Sequence, residues 1–167
     1  ATTLNATLWS FQTNMNKSKE VEKRTRVKAR IVSYALKELI EDAENVIIMG
    51  HRNADVDVMG SALGLFRACT ALGKEVKLLM QSYNQSVKNL IDLLDDEYDD
   101  FIINEAYASE ILTKKTLIIV ADTHMKSLLE APQLLECTSR IVVIDHHRRS
   151  ADFIDNAVLT YHEPYAS

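Results

Sequence analysis

Short, continuously apolar runs alternate along this chain with longer stretches whose apolar residues recur every three or four positions. The short runs are Val46-Ile47-Ile48-Met49, Val76 to Met80, Leu117 to Val120 and Ile141 to Ile144. Each is too short for a helix and too uniformly apolar for a strand with one wet face, so each reads as a parallel strand buried on both faces. Between the first two, the spacing predicts a helix from about Val58 to Leu72, with Ala62, Leu65, Phe66, Cys69 and Leu72 on its core face and Gly73 as its stop. Two further helices are predicted over Gln85 to Leu94 and Glu105 to Leu112. Val158 to Tyr161 adds a strand before Glu163-Pro164-Tyr165 breaks the pattern. Strand and helix in repetition imply right-handed crossovers, hence an α/β fold: a mostly parallel sheet with helices on both faces.

Upstream the pattern is different. Val27, Ile31, Ala35, Leu36, Leu39 and Ile40 recur at helical spacing within Lys17 to Glu41, which predicts a long amphipathic helix preceding the sheet. Its cluster of Lys23, Arg24, Arg26, Lys28 and Arg30 reads as a solvated face. Residues to about Asn16 are polar and weakly patterned and read as a linker. The organisation expected is therefore linker and helix over 1–43, then one α/β domain over 44–167.

Composition narrows the function classes. The chain has 167 residues, 47% hydrophobic and 26% charged, enough for one core and without a bias to disorder. A net charge of −5 argues against binding long nucleic acid, which draws on many cations, so any phosphate recognition must be local. Cys69 and Cys137 have no companion at zinc spacing and suit a reducing compartment. No apolar run approaches the roughly 20 residues of a membrane helix and no basic leader opens the chain, so the fragment is expected in the cytoplasm without direct membrane contact. The acidic run from Asp95 to Asp100 lacks the interior glycine of a calcium loop and reads as a solvated turn.

Ligands of such sheets gather at the carboxyl ends of the strands. There the chain places His51 and Asp55, on the loop after the first strand, and Asp57, at a helix start where the dipole accommodates its charge. Asp122 follows the strand ending in Ala121, and Asp145-His146-His147 closes the run beginning at Ile141. Taken singly, each has a plain structural reading: Asp57 or Asp122 as a helix cap, a histidine as a core polar group, the triplet as a short pattern. Together, at one sheet edge, they read as a metal centre. Carboxylate and imidazole without thiolate select a borderline-hard divalent ion, manganese first and then magnesium, cobalt or iron. Clustered carboxylates repel one another unless cations neutralise them. Two ions about 3.5–4 Å apart would do so, and would hold a hydroxide and a phosphoryl oxygen together, which is chemistry for phosphoester hydrolysis.

These residues also carry a family resemblance. NVIIMGHRNADVDVMGSALG, ending at Gly64, IIVADTH from Ile118 to His124 and VVIDHH from Val142 to His147 resemble three motifs of the DHH phosphoesterases. That superfamily includes manganese pyrophosphatases, exopolyphosphatases, RecJ-type exonucleases and nanoRNases. VEKRTRVKARIVSYAL from Val21 to Leu36 and EPYAS from Glu163 to Ser167 are similar to the flanks of this domain in cyclic di-AMP phosphodiesterases of the GdpP type. The resemblance implies two divalent ions, most simply Mn2+: His51 and Asp55 on the first, Asp57 and His146 on the second, Asp122 bridging both. It further implies that His147 and Arg52 bind the substrate, that His147 and Asp122 serve catalysis, and that Asp145 orients the pair from behind.

The reaction implied is opening of the cyclic dinucleotide to pApA by a metal-bound hydroxide attacking phosphorus. In the family a further metal-binding Asp and a second, nucleotide-gripping domain lie beyond the EPYAS segment, so this fragment alone is expected to be weakly active or inactive. The parent is expected to be anchored in the cell membrane, with a sensor domain upstream, and a homodimer is the candidate assembly. Two alternatives stand beside this reading: a nanoRNase or pyrophosphatase-like enzyme of the same superfamily, and a non-catalytic nucleotide-binding regulatory module.

Overall fold

The computed structural model describes residues 23–94, 96–98 and 100–163. The linker expected before Asn16, the helix start near Lys17 and the end of the EPYAS segment lie outside the described residues. The chain divides into two compact units at Ala35/Leu36. Of the first, the described part is helical and belongs to α1 (residues 23–42), where Val27 and Ile31 are 50% and 65% exposed. The apolar stripe of this helix is buried only in its last turns, where Ile40 enters the core and Leu36 and Leu39 pack against it.

The second unit is built on a six-stranded sheet: β1 (Val46–Met49), β2 (Val76–Leu79), β3 (Ile102–Ile103), β4 (Leu117–Ala121), β5 (Ile141–Asp145) and β6 (Leu159–His162). The order across it is β3-β2-β1-β4-β5-β6, and every pairing is parallel. The continuous apolar runs have the burial they imply, since β1 and β4 are buried along their whole length. Alternate residues feed two cores. Val46, Ile48, Leu78, Leu117 and Ile119 join α2 (Val56–Ala71) and α3 (Gln85–Ile91) on one face. Ile47, Met49, Leu79, Ile118 and Val120 meet Ala108 of α4 (Glu105–Ile111), together with Leu134 and Leu135, on the other. Helices therefore cover both faces, which establishes the α/β class.

Three boundaries differ from the sequence reading. The helix expected from Val58 starts at Val56, because Asp55 rather than Asp57 is its N-cap: Asp55 Oδ1 accepts from the backbone N–H groups of Asp57 and Val58 at 3.0 and 3.1 Å. The helix expected to reach Leu94 ends at Ile91, leaving Leu93 80% exposed. Strand β3 was not expected. It is two half-buried residues at the sheet edge, too short to leave a period in the sequence.

One glycine is required by space. A Cβ on Gly50 would lie 2.4 Å from Val58 Cγ1, so the chain can turn from β1 toward α2 only where position 50 has no side chain. This close crossing brings the loop after β1 back over the sheet edge.

Candidate metal centre

The order in which strands are added to the sheet reverses between β1 and β4. From β1 the sheet grows outward through β2 to β3, and after the crossover it grows the other way from β4 through β5 to β6. A crevice at the carboxyl ends of the strands opens at such a reversal. His51 and Asp55 follow β1, Asp122 follows β4, and Asp145, His146 and His147 end β5, so three adjacent strands deliver them.

The rim is held by unusual backbone and by buried hydrogen bonds. Asn53 and Asp122 are the two non-glycine residues with positive φ among those described, at 55° and 62°, and both sit on this rim. A left-handed residue other than glycine is sparsely populated and costs of order 1–3 kcal/mol, though Asn and Asp tolerate it best. The 51–55 loop is tied down on two sides. Arg52 N and Nε donate to the carbonyls of Leu128 and Leu129, and Asn53 N donates to Ser82 Oγ. Glu130 in turn accepts from Gln81 N, Ser82 N and Ser82 Oγ.

Asp122 lies at the centre. Its buried carboxylate faces two histidines from different strands: Oδ1 is 3.0 Å from His146 Nε2 and Oδ2 is 3.7 Å from His51 Nε2, which itself lies 3.8 Å from Asp55. Two groups that share Asp122 each bring three ligand atoms within 4.8 Å of one another: His51, Asp55 and Asp122, and Asp122, His146 and His147. A third, without Asp122, is His124, Asp145 and His162. His51 Nδ1 lies 2.9 Å from the Arg52 carbonyl, which can only accept, so Nδ1 carries the proton and Nε2 keeps its lone pair toward Asp55 and Asp122. The donor set is oxygen and imidazole nitrogen with no sulfur, and it fits a divalent cation such as manganese.

Asp57 lines the same cavity of about 380 Å³ as Asp122, Asp145 and His146, but belongs to none of these three-ligand groups. Ser61, Tyr161 and Glu163 line that cavity too and were not singled out from the sequence. Arg52 is exposed, with Nε committed to Leu129, so a phosphate contact would use its terminal guanidinium nitrogens.

Electrostatics point the same way. Burial, reinforced by the charge of Asp55, raises the Asp122 pKa above the ordinary carboxylate value, against the opposing pull of His147, His146 and His51. A pKa raised on folding contributes stability fully present below the unfolded value of about 3.9 and lost as pH rises through the folded value. Neutral pH therefore leaves a destabilising buried charge that a cation would compensate. We expect Mn2+ at about a hundred times its Kd to stabilise the protein by about 2.7 kcal/mol, or roughly 5–10 °C in Tm at pH 7.5. The gain should shrink toward pH 5, as protons compete for the ligands. A thermal melt unmoved by Mn2+ would refute the centre.

Comparison with known proteins agrees with this geometry. Residues 45–167 match the DHH family, N-terminal domain, and the chain belongs to that family. Among its relatives, the chain is 42% identical over 156 residues to the cyclic-di-AMP phosphodiesterase PdeA of Listeria monocytogenes, and 41% identical over 155 residues to the cyclic-di-AMP phosphodiesterase GdpP of Geobacillus thermodenitrificans. Each match covers 90% of this chain and 24% of the relative, so the chain spans about a quarter of the length of the proteins it resembles. In fold it is similar to an exopolyphosphatase-related protein from Bacteroides fragilis, with a TM-score of 0.65 at 18% identity over 81% of this chain and 39% of that one. No helix among the described residues is long and apolar enough to cross a membrane.

Proposed function

We propose that this chain carries the metal-binding domain of a cyclic di-AMP phosphodiesterase. The observation that carries the reading is Asp122, a buried carboxylate whose two oxygens face His146 and His51 from different strand ends, which is the arrangement of a bridging ligand. The substrate class comes from the relatives, two of which are named for hydrolysis of cyclic di-AMP.

In this reading His51 and Asp55 would hold one divalent ion, Asp57 and His146 would contribute to a second, and Asp122 would serve both. Such ions, most simply Mn2+, lower the pKa of water and draw charge from phosphoryl oxygens. The protein's own groups orient the ester. His147 is held by Asp145, with Nδ1 2.8 Å and backbone N 3.1 Å from Asp145 Oδ1. That hydrogen bond, more than any other influence, raises the His147 pKa and favours an imidazolium that can donate to a phosphate oxygen. Arg52 supplies a further cation beside the cleft. The product is linear pApA, and the parent protein is a membrane-anchored enzyme of nucleotide signalling.

The test is to incubate the complete parent protein with Mn2+ and, in parallel, cyclic di-AMP, pApA and pyrophosphate, resolving products by chromatography. Conversion of cyclic di-AMP to pApA is expected. Cleavage of pyrophosphate alone would overturn the substrate, and tight binding of cyclic di-AMP without turnover would favour a regulatory module.

A further inference from the structure

Asp145 is fully buried and both of its oxygens are used. Oδ1 accepts from the side chain and backbone of His147, while Oδ2 is bonded to Nδ1 of His124, itself a buried residue on the turn after β4. His124 stands outside the two ligand groups that share Asp122; it falls with Asp145 and His162 in the third, but both of its ring nitrogens are engaged, Nδ1 by Asp145 and Nε2 by Ser150. The hydrogen bonds decide where its proton sits. Ser150 N–H lies 2.9 Å from His124 Nε2 and can only donate, so Nε2 accepts. Ser150 Oγ, 3.1 Å from the same nitrogen, donates its own hydrogen to the Asp152 carbonyl at 2.8 Å and places no contrary demand on the ring. The proton of the neutral ring is therefore on Nδ1, pointing at Asp145. The order of donation runs from Ser150 to His124 to Asp145, where it meets the donation from His147.

We infer that His124 is a positioning residue: clamped by Ser150, it fixes the rotation of Asp145, and Asp145 thereby holds His147 through Nδ1 and reserves Nε2 for the substrate. Two independent contacts brace the arrangement. His124 O accepts from Ile154 N at 3.0 Å, and His162 Nε2 bonds the carbonyl oxygen of His147. Without His124, one oxygen of a buried carboxylate loses its partner and the carboxylate can rotate, so that the tautomer and orientation of His147 are no longer unique. This inference rests on the phosphodiesterase reading only for the role of His147; the hydrogen-bond order stands on geometry alone.

The test uses the full chain labelled with 15N-histidine, metal-free, at the alkaline end of a pH series where the ring 15N shifts no longer change. Long-range 1H–15N correlation reads the tautomer of each of the five histidines. His124 and His147 should both be protonated at Nδ1. His124→Leu should leave His147 a mixture of tautomers, whereas His124→Asn, with an amide N–H near the former Nδ1, should restore the Nδ1 form. Removing a partner behind a site residue commonly costs about 10–100-fold in activity or metal affinity, so in the complete parent protein kcat for cyclic di-AMP should fall by about that factor in His124→Leu, with KM changed less than about twofold, and recover in His124→Asn.

A wild-type His124 protonated at Nε2, which can be read even if a variant fails to fold, would overturn the proposal. So would an unchanged His147 tautomer in a folded His124→Leu protein. If the tautomers behave as expected but the complete wild-type parent protein leaves cyclic di-AMP intact, the positioning role stands and the substrate assignment falls.

Discussion

Asp122→Ala in the complete parent protein should lower Mn2+-dependent turnover of cyclic di-AMP by about a thousandfold, equivalent to several kcal/mol of transition-state stabilisation. The size follows from position. Asp122 is the residue shared by two of the three-ligand groups, so its loss disorganises both ions rather than weakening one. Asp122→Asn is the sharper control, since asparagine also tolerates the 62° φ at this position and keeps the side-chain shape. Loss of activity in Asp122→Asn with an unchanged or raised Tm would assign the effect to charge rather than to backbone strain. Wild-type turnover by either variant would end the two-metal reading.

Asp145→Ala should be the most destabilising substitution in the centre, by about 3–5 kcal/mol, because it strands a buried imidazole donor and releases His147. The pH dependence has a definite sign. Burial raises the Asp145 pKa, but bonds from His124 and from the side chain and backbone of His147 outweigh it, and the net shift is downward. A pKa lowered on folding contributes stability present above the unfolded value and lost as pH falls through the folded one. The gap between wild type and Asp145→Ala, read from urea midpoints, should be widest between about pH 4 and the imidazole range, narrowing below it as Asp145 takes up a proton and above it as His147 loses one. A gap that widens below about pH 4 would mean that Asp145 is not ionised in the native state.

What could be read from the sequence follows the physics of each feature. Val46 to Met49 and Leu117 to Ala121 were legible because strands covered on both faces admit no polar residue, and the rule that loops at their carboxyl ends carry chemistry located His51, Asp55, Asp122 and the 145–147 triplet without coordinates. The cap could not be read because Asp55 and Asp57 are both suitable residues two positions apart: capping stood only as the plain alternative for Asp57, and the observed bonds to Asp57 N and Val58 N give the role to Asp55. Leu93 and Leu94 prolonged the apolar period of α3 past its end at Ile91, where Leu94 still packs against the core but from a turn and Leu93 is exposed. His124 was present in a motif yet carried no signal of its own, because its role depends on Asp145 and Ser150, which sequence spacing does not connect.

The parallel register has a kinetic consequence. Val46 pairs with Leu117, and Leu117's strand pairs with one that begins at Ile141, so the ligands are contributed by segments that meet only after long loops have closed. During synthesis, β1, β2 and β3 emerge and can zip together while the pocket still lacks its middle carboxylate. An ion in the surrounding solution therefore cannot template the early steps of folding; it is captured last, by a nearly finished sheet, and acts as a lock on the native state rather than as its nucleus.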